Sequence, residues 1–105
     1  MSPPKYGNRR VCTEEGWFDS QRELRRWGEL KLLQVAGQIT NLRRQVPFEL
    51  IPKMAGQRAT YFVADFVYEE KGKTVVEDSK GYRNRLYMLK RKLMMFRHGV
   101  EVLET

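Results

Sequence analysis

The clearest hydrophobic pattern in this chain is an apolar stripe at helical spacing within residues 20–36. Residues three and four positions apart lie on one face of an α-helix, so the stripe predicts a helix with one packed face. Asp19 or Ser20 can cap its first free amides, and Gly37 tolerates the positive φ that closes many helices. The stripe consists of Leu24, Trp27, Leu30 and Leu33.

Three strand-like segments follow, rich in β-branched and aromatic residues. They are residues 47–52 (PFELIP), 60–68 (TYFVADFVY) and 73–81 (KTVVEDSKG). The last two are joined by EEKG, which is typical of a hairpin turn. Residues 60–68 are apolar on both faces apart from one acid, so we expect this strand near the centre of a sheet.

A second helix and a last strand complete the pattern. Residues 85–96 carry apolar residues at helical spacing, Gly99 follows them, and VEVLE reads as a strand. A short hairpin turning at residues 14–16 precedes the first helix. The order predicts an α/β fold with an αβββαβ core, a mixed β-sheet flanked by helices and a short N-terminal hairpin. The apolar stripe of the second helix consists of Leu86, Leu89, Leu93 and Phe96.

The length of 105 residues allows one modest core, so we expect residues 9–105 to form a single domain after a flexible basic tail at residues 1–8. A single Cys12 forms no internal disulfide, and with His98 as the sole histidine a Cys/His zinc site is disfavoured. The chain has no membrane-length apolar run, and its opening lacks the apolar core of a signal peptide. We therefore expect an intracellular protein without a membrane span.

The net charge of +7 favours a polyanionic partner, either nucleic acid or an acidic membrane surface. Six Lys or Arg residues follow the third strand, with no acid among residues 79–98. The run reads either as a solvated helix face or as a track for phosphate backbones. Tyr82 and Tyr87 can stack on unpaired bases or serve as packing residues. The six basic residues are Arg83, Arg85, Lys90, Arg91, Lys92 and Arg97.

Two acids occupy positions where the pattern predicts a core. Glu23 projects onto the middle of the first helical stripe, and Asp65 lies within the apolar strand YFVADFVY. Burying a carboxylate is costly unless a partner satisfies it. Glu23 can instead reach outward and favour the helix dipole, and Asp65 can cap a neighbouring turn. Both readings stay open.

The end of the third strand adds another acid and a lysine. Strand alternation places Val76, Asp78 and Lys80 on one face. An exposed ion pair between Asp78 and Lys80 is the plainer interpretation. Because a short hairpin joins the two strands, however, Asp65 and Asp78 can lie adjacent, and a divalent cation relieves the repulsion between close carboxylates. Magnesium takes one or two carboxylates with water and phosphate oxygens, so these acids predict a magnesium and phosphate site, in which Lys80 holds or deprotonates water.

The residues Asp65 and Asp78-Ser79-Lys80, in this element order, resemble the PD-(D/E)XK nuclease superfamily. The segments KYGN, FDSQRE, LKLL, FEL, ADF, VVEDSKG and LKRKL resemble its small single-domain branch encoded by phages and prophages. The resemblance implies metal ligation by Asp65, Asp78 and the Ser79 backbone carbonyl. It also implies a Glu23 contact through water or a second ion, and positioning of the nucleophile by Lys80. Ala64 replaces the proline of the motif.

The resemblance implies a magnesium-dependent DNA endonuclease in which manganese can substitute. Its expected substrates are branched or recombination DNA of a phage or prophage, within the cytoplasm of the bacterial host. A non-catalytic nucleic-acid-binding module on the same fold is the alternative. Gln45 either supports the site or is a surface residue. Met88 and Met95 lie opposite the stripe of the second helix, where they mark a homodimer or partner contact or a surface covered by the tail. A replication or recombination protein is the expected partner.

Overall fold

The computed structural model describes residues 9–79 and 83–105. The predicted tail at residues 1–8 lies outside these ranges, as do Lys80 and Tyr82. Within them the fold is α/β, and its helices and strands follow the predicted order after a short hairpin. The elements are β1 Val11–Thr13, β2 Gly16–Phe18, α1 Gln21–Val35, β3 Thr40–Ile51, β4 Thr60–Glu70, β5 Lys73–Asp78, α2 Arg85–His98 and β6 Val102–Glu104.

The main sheet is mixed, with the strand order β3-β4-β5-β6. Strands β3, β4 and β5 form an antiparallel meander, and β6 pairs parallel to β5 after the crossover through α2. Lys71 and Gly72, both with positive φ, form the tight turn between β4 and β5 where EEKG predicted it. The start of β3 was predicted too late, because this strand begins at Thr40 rather than at residue 47.

Helix α1 begins and ends where its local signals predicted. Ser20 is the N-cap, and its Oγ accepts a hydrogen bond of 3.1 Å from the Glu23 amide. Gly37, just past the helix, has φ of +79°. Leu30 is fully buried in a cluster on one face of the sheet, and the Trp27 ring stacks near Phe66 in the same cluster. The packed face of α1 is therefore the predicted stripe.

Helix α2 packs on the opposite face of the sheet, but mostly through residues other than those predicted. Tyr87 and Met94 are buried there, in a cluster that includes Val76 and Val102. Of the predicted stripe, Leu93 packs against this cluster, whereas the other three residues face outward, with exposed fractions of 59% for Leu86, 52% for Leu89 and 85% for Phe96. The helix has two apolar faces, and the sheet packs against the one with Tyr87 and Met94, two turns apart. Met88 and Met95 are exposed as well.

Strand β4 changes the direction of its side chains at Asp65. Before this residue, Phe62 and Ala64 pack in the cluster beneath α2, whereas Phe66 and Tyr68 pack in the cluster beneath α1. Regular alternation would leave all four on one face. Gln45 on β3, with φ of +50°, stands at the same level of the ladder. The sheet thus has an irregular level at Asp65, where the buried Asp65 lies beside the exposed Gln45.

Among the described residues, neither helix is long and apolar enough to cross a membrane.

Candidate functional site

The side chain of Gln45 joins the two acids that the sequence places in the core. Its Nε2 donates to Glu23 Oε1 at 3.3 Å and to Asp65 Oδ1 at 3.2 Å. An amide nitrogen carries two hydrogens, so one group satisfies both acceptors. The structure therefore brings Glu23, Gln45 and Asp65 together. Gln45 is exposed, as the surface interpretation predicted, and it also supports the site by donating to both acids.

Asp65 also ties β4 to the end of β5. The Ser79 backbone N–H donates to Asp65 Oδ2 at 2.8 Å. The register of the two strands pairs Phe66 with Glu77, so this hydrogen bond lies at the level where β5 ends. Asp65 is 9% exposed, and both its oxygens accept hydrogen bonds. Its charge is thus stabilised by donors from two neighbouring strands.

Glu23 is 2% exposed, so the interpretation in which it reaches outward is wrong. Burial, followed by repulsion from Asp65 and Asp19, raises the pKa of Glu23 from 4.5 to about 7. The Asp19 backbone N–H, which donates to Glu23 Oε2 at 3.3 Å, opposes this rise, as does the positive charge of Arg44. The site therefore holds a carboxyl group that gains or loses a proton near neutral pH.

Arg44 is the cation beside Glu23, and this role was not predicted from the sequence. Its Nη2 lies 3.6 Å from Glu23 Oε1 and donates at 2.6 Å to the Trp17 carbonyl. The guanidinium carbon lies 3.7 Å from the centre of the Phe18 ring. Arg44 thereby joins the β1-β2 hairpin to the main sheet next to Glu23. Arg44 lies in the segment TNLRRQV, which belongs to β3 but was not predicted as a strand because of its charged residues. Its arginines therefore had no predicted role.

We call the place where the ladder between β4 and β5 ends, next to Asp65 and Asp78, the fork, and Asp78 is the last residue of β5 there. It is 3% exposed and lines a pocket of about 280 Å³ together with Lys90. Tyr61 and Leu86 contribute exposed apolar walls to this pocket. The buried Tyr87 is a further wall, and burial together with the charge of Asp78 raises its pKa to about 12.

The acids do not form one compact ligand cage. In residues 9–79 and 83–105, no three His, Cys, Asp or Glu side chains are grouped closely enough to hold a metal ion. Glu23 and Asp65 are joined through Gln45, whereas Asp78 faces the adjoining pocket. The oxygen donors at the fork suit a hard cation that keeps part of its water shell, rather than one enclosed by protein ligands.

Three of the six basic residues that were predicted to contact phosphate form ion pairs with acids of other strands. Glu104 forms ion pairs with Arg83 at 2.9 Å and with Arg91 at 2.5 Å. Arg97 Nη2 lies 3.4 Å from Glu49. Within the described part of the chain, the other three predicted residues form no ion pair. They are Arg85, Lys90 and Lys92.

Three further predicted residues, Lys80, Tyr87 and Ser79, have different outcomes. Lys80 lies outside the described residues, so its role stays a prediction. Tyr87 is 5% exposed and packs near Phe62, and this burial contradicts the interpretation in which it stacks on a base. Tyr61 is the exposed tyrosine beside Asp78. Ser79 contributes its amide to Asp65, while metal binding by its carbonyl stays a prediction.

Glu77, next to Asp78 on β5, is a further buried acid, and its structural partner was not predicted from the sequence. Glu77 is 1% exposed and accepts two hydrogen bonds from Arg26, at 2.8 and 2.7 Å. The Tyr68 hydroxyl donates to the same carboxylate, and burial followed by this hydrogen bond raises the pKa of Tyr68. This bidentate pair fastens α1 to β5 and thereby fixes the strand that carries Asp78.

The fold and the site define a small α/β protein with buried acids at a fork in a mixed sheet. The chain belongs to the DUF1064 family, described as "Protein of unknown function", whose model matches residues 3–103. No curated protein and no solved structure matches the chain significantly.

Proposed function

We propose that this protein is a magnesium-dependent endonuclease that hydrolyses phosphodiester bonds in DNA. The observation that supports the proposal is the 2.8 Å hydrogen bond from the Ser79 amide to the Asp65 carboxylate. It joins the two segments of the sheet on which the PD-(D/E)XK resemblance assigns metal ligands, Asp65 and Asp78. Both assigned ligands are buried, since Asp65 is 9% and Asp78 3% exposed, and burying a carboxylate is costly unless a partner satisfies it.

Magnesium fits the donors at this fork. It binds through one or two carboxylates and retains several waters, so the proposal needs no larger acidic cage. Asp65 and Asp78 would hold the ion with the Ser79 carbonyl, and Glu23 would contact it through water or a second ion. When bound, the ion would supply an activated water and neutralise charge on the phosphate. Manganese offers the same chemistry.

The chain itself would supply proton transfer and orientation. Glu23, with a pKa of about 7, exists in both protonation states near neutral pH and can accept a proton from water. Gln45 would orient Glu23 relative to Asp65, because it donates to both. Lys80 would position the nucleophile, as the resemblance implies.

The substrate would be held by basic and aromatic side chains around the fork. Lys90 lines the same pocket as Asp78, so it is the basic residue of α2 best placed to contact a phosphate near the site. Arg85 and Lys92 would extend this contact along the helix. Tyr61, 45% exposed at the pocket, can stack on an unpaired base. These contacts favour branched or recombination DNA over uniform duplex.

A non-catalytic nucleic-acid-binding module is the second candidate. It is favoured by the dispersed acids, since the described residues contain no group of three or more that could hold a metal. In either case we propose a role in the cytoplasm of a bacterial host, with a phage or host replication or recombination protein as a partner. A homodimer would bring two sites to two DNA strands, and the exposed Met88 and Met95 offer it a contact surface.

Cleavage of supercoiled plasmid and of a four-way junction distinguishes the two candidates. We expect cleavage with magnesium or manganese, none with chelator, and a loss of orders of magnitude in Asp78→Asn, because asparagine keeps the shape but removes the charge. Glu70→Gln, an exposed change at the far hairpin, is the matched control and should retain activity. DNA binding without cleavage in every metal would instead support the binding module.

A further inference from the structure

Helix α2 has a second apolar face, distinct from the one packed on the sheet. Leu86, Leu89 and Phe96 are all more than half exposed, whereas Leu93, at the edge of this face, is half-buried and also packs against the cluster beneath α2. Their positions follow the i, i+3, i+7, i+10 spacing of the a and d sites in two heptads. We call these four residues the outer seam. Side chains at this spacing form the line along which one helix receives another.

The outer seam is narrow. At about 100° per residue, its four side chains project within roughly 80° of the helix surface. An apolar stripe confined to a and d sites is the pattern of a helix-helix contact, whereas a helix that lies in a membrane surface has a broad apolar face. The width therefore favours a helical partner over a lipid surface.

The charges beside the outer seam indicate which helix it fits. With Leu86 at an a site, positions g and e hold only basic residues, two on each side of the seam. Of these, Arg97 is near Glu49, and the others make no ion pair within the described residues. A second copy of α2 would oppose these cations with cations, whereas a helix with acidic e and g sites would complement them. The flanking residues are Arg85, Lys90, Lys92 and Arg97.

We propose that the outer seam of α2 docks an amphipathic helix of a partner protein, with apolar a and d residues flanked by Asp or Glu. Leu86, Leu89 and Phe96 would enter the apolar side of that helix, and its acids would pair with the flanking cations. This binding does not depend on nuclease activity. One consequence rests on the proposed function: because Arg85, Lys90 and Lys92 would also contact phosphate, the acidic helix and DNA would compete for α2.

A labelled synthetic helix tests the proposal on the full chain, without DNA or metal. The probe is a peptide of about three heptads with Leu at a and d and Glu at e and g. Fluorescence anisotropy should show saturable binding that weakens at least tenfold in Leu86→Gln/Phe96→Gln. Leu32→Gln/Val35→Gln alters two exposed apolar residues of the other helix, α1, and should bind within twofold of the unmodified protein. A peptide with Lys at e and g should not bind, and Arg85→Glu/Lys92→Glu should reverse this preference.

Several results would overturn the proposal. These are no binding of the acidic peptide, equal binding of both peptides, or an equal loss in Leu32→Gln/Val35→Gln. Binding to phosphatidylserine vesicles but not to the peptide would make the seam a membrane contact. A dimer in sedimentation velocity that Leu86→Gln/Phe96→Gln dissociates would make it a contact between copies. Absence of DNA cleavage would leave the peptide result intact, so failure of the docking proposal and failure of the nuclease proposal are distinguishable.

Discussion

The Ser79 amide donates to Asp65 Oδ2 at 2.8 Å, at the level where the ladder between β4 and β5 ends. A side chain here takes the place of a backbone acceptor, and Asp65 has a structural role whether or not it binds metal. A structural role and a metal-binding role of Asp65 are therefore compatible. Substitutions that differ in whether they keep a hydrogen-bond acceptor can separate the two roles.

Asp65→Ala should destabilise the protein more than Asp65→Asn. Alanine removes the acceptor and leaves the Ser79 amide unsatisfied, at a cost of about 1–3 kcal/mol, whereas the asparagine oxygen can still accept this hydrogen bond. Both changes remove the charge needed for a cation. Urea unfolding without metal should separate the two variants, while calorimetry should show manganese binding weakened in both. Undiminished manganese binding in Asp65→Asn would contradict its assignment as a ligand.

Glu23 should make the protein less stable as pH rises. Its folded pKa of about 7 lies above its ordinary value of 4.5, so its contribution to stability is fully present below 4.5 and is lost as pH rises through 7. The full effect is on the order of 3 kcal/mol. In Glu23→Gln the free energy of unfolding should therefore change less between pH 5 and pH 8 than in the unmodified protein.

This comparison is best made by urea unfolding at the two pH values in chelator, because a bound cation would favour the charged form of Glu23. Glu29→Gln, an exposed acid on α1, is the control and should keep the full pH dependence. An unchanged pH dependence in Glu23→Gln would show that another group is responsible.

The pair between Arg26 and Glu77 should be costly to break from one side. Arg26→Met leaves the buried Glu77 carboxylate without its main partner, and removal of one member of such a pair costs about 3 kcal/mol or more. Arg26→Met/Glu77→Gln removes both charges and should recover part of the loss. Chemical denaturation of the two single variants and the double variant gives the coupling energy, and additive losses would rule out a dominant pair.

DNA binding should depend steeply on salt through the basic residues of α2 that form no ion pair within residues 9–79 and 83–105. Replacement of Arg85, Lys90 and Lys92 by alanine should weaken all sequences alike and reduce the slope of log affinity against log salt by about 3, since each phosphate contact contributes about 0.9. Replacement of Lys53, Lys71 and Lys73 removes the same net charge elsewhere and is the matched control. An equal effect of both triple variants would assign binding to net charge rather than to α2.

Local signals predicted the parts of the fold that local interactions determine. Ser20 and Gly37 mark the ends of α1, and the turn at Gly72 required only its own residues. The packed face of α2 was missed because two apolar faces compete, and only contact with Val76 and Val102 selects the one with Tyr87 and Met94.

The acids of the candidate site could be predicted from the sequence, but their hydrogen-bond and ion-pair partners could not. Glu23 and Asp65 were visible as charges within apolar patterns. Gln45 stood in a segment without strand alternation, and its positive φ has no signature in the sequence. Arg26 and Glu77 are 51 positions apart, so their pairing depends on how α1 docks on the sheet.

The two halves of the site also differ in how far apart their residues are in the chain. Asp65 and Ser79 are 14 positions apart within one hairpin, which can close early in folding. Glu23 joins them only through Gln45 on β3 and through the docking of α1, which the distant Arg26–Glu77 pair secures. Partial detachment of α1 would therefore remove Glu23 while the hairpin with Asp65 persists. Slower amide hydrogen exchange in β4 and β5 than in α1 would show that α1 detaches before the hairpin opens. The contribution of Glu23 would then be the last part of the site to form and the first to be lost.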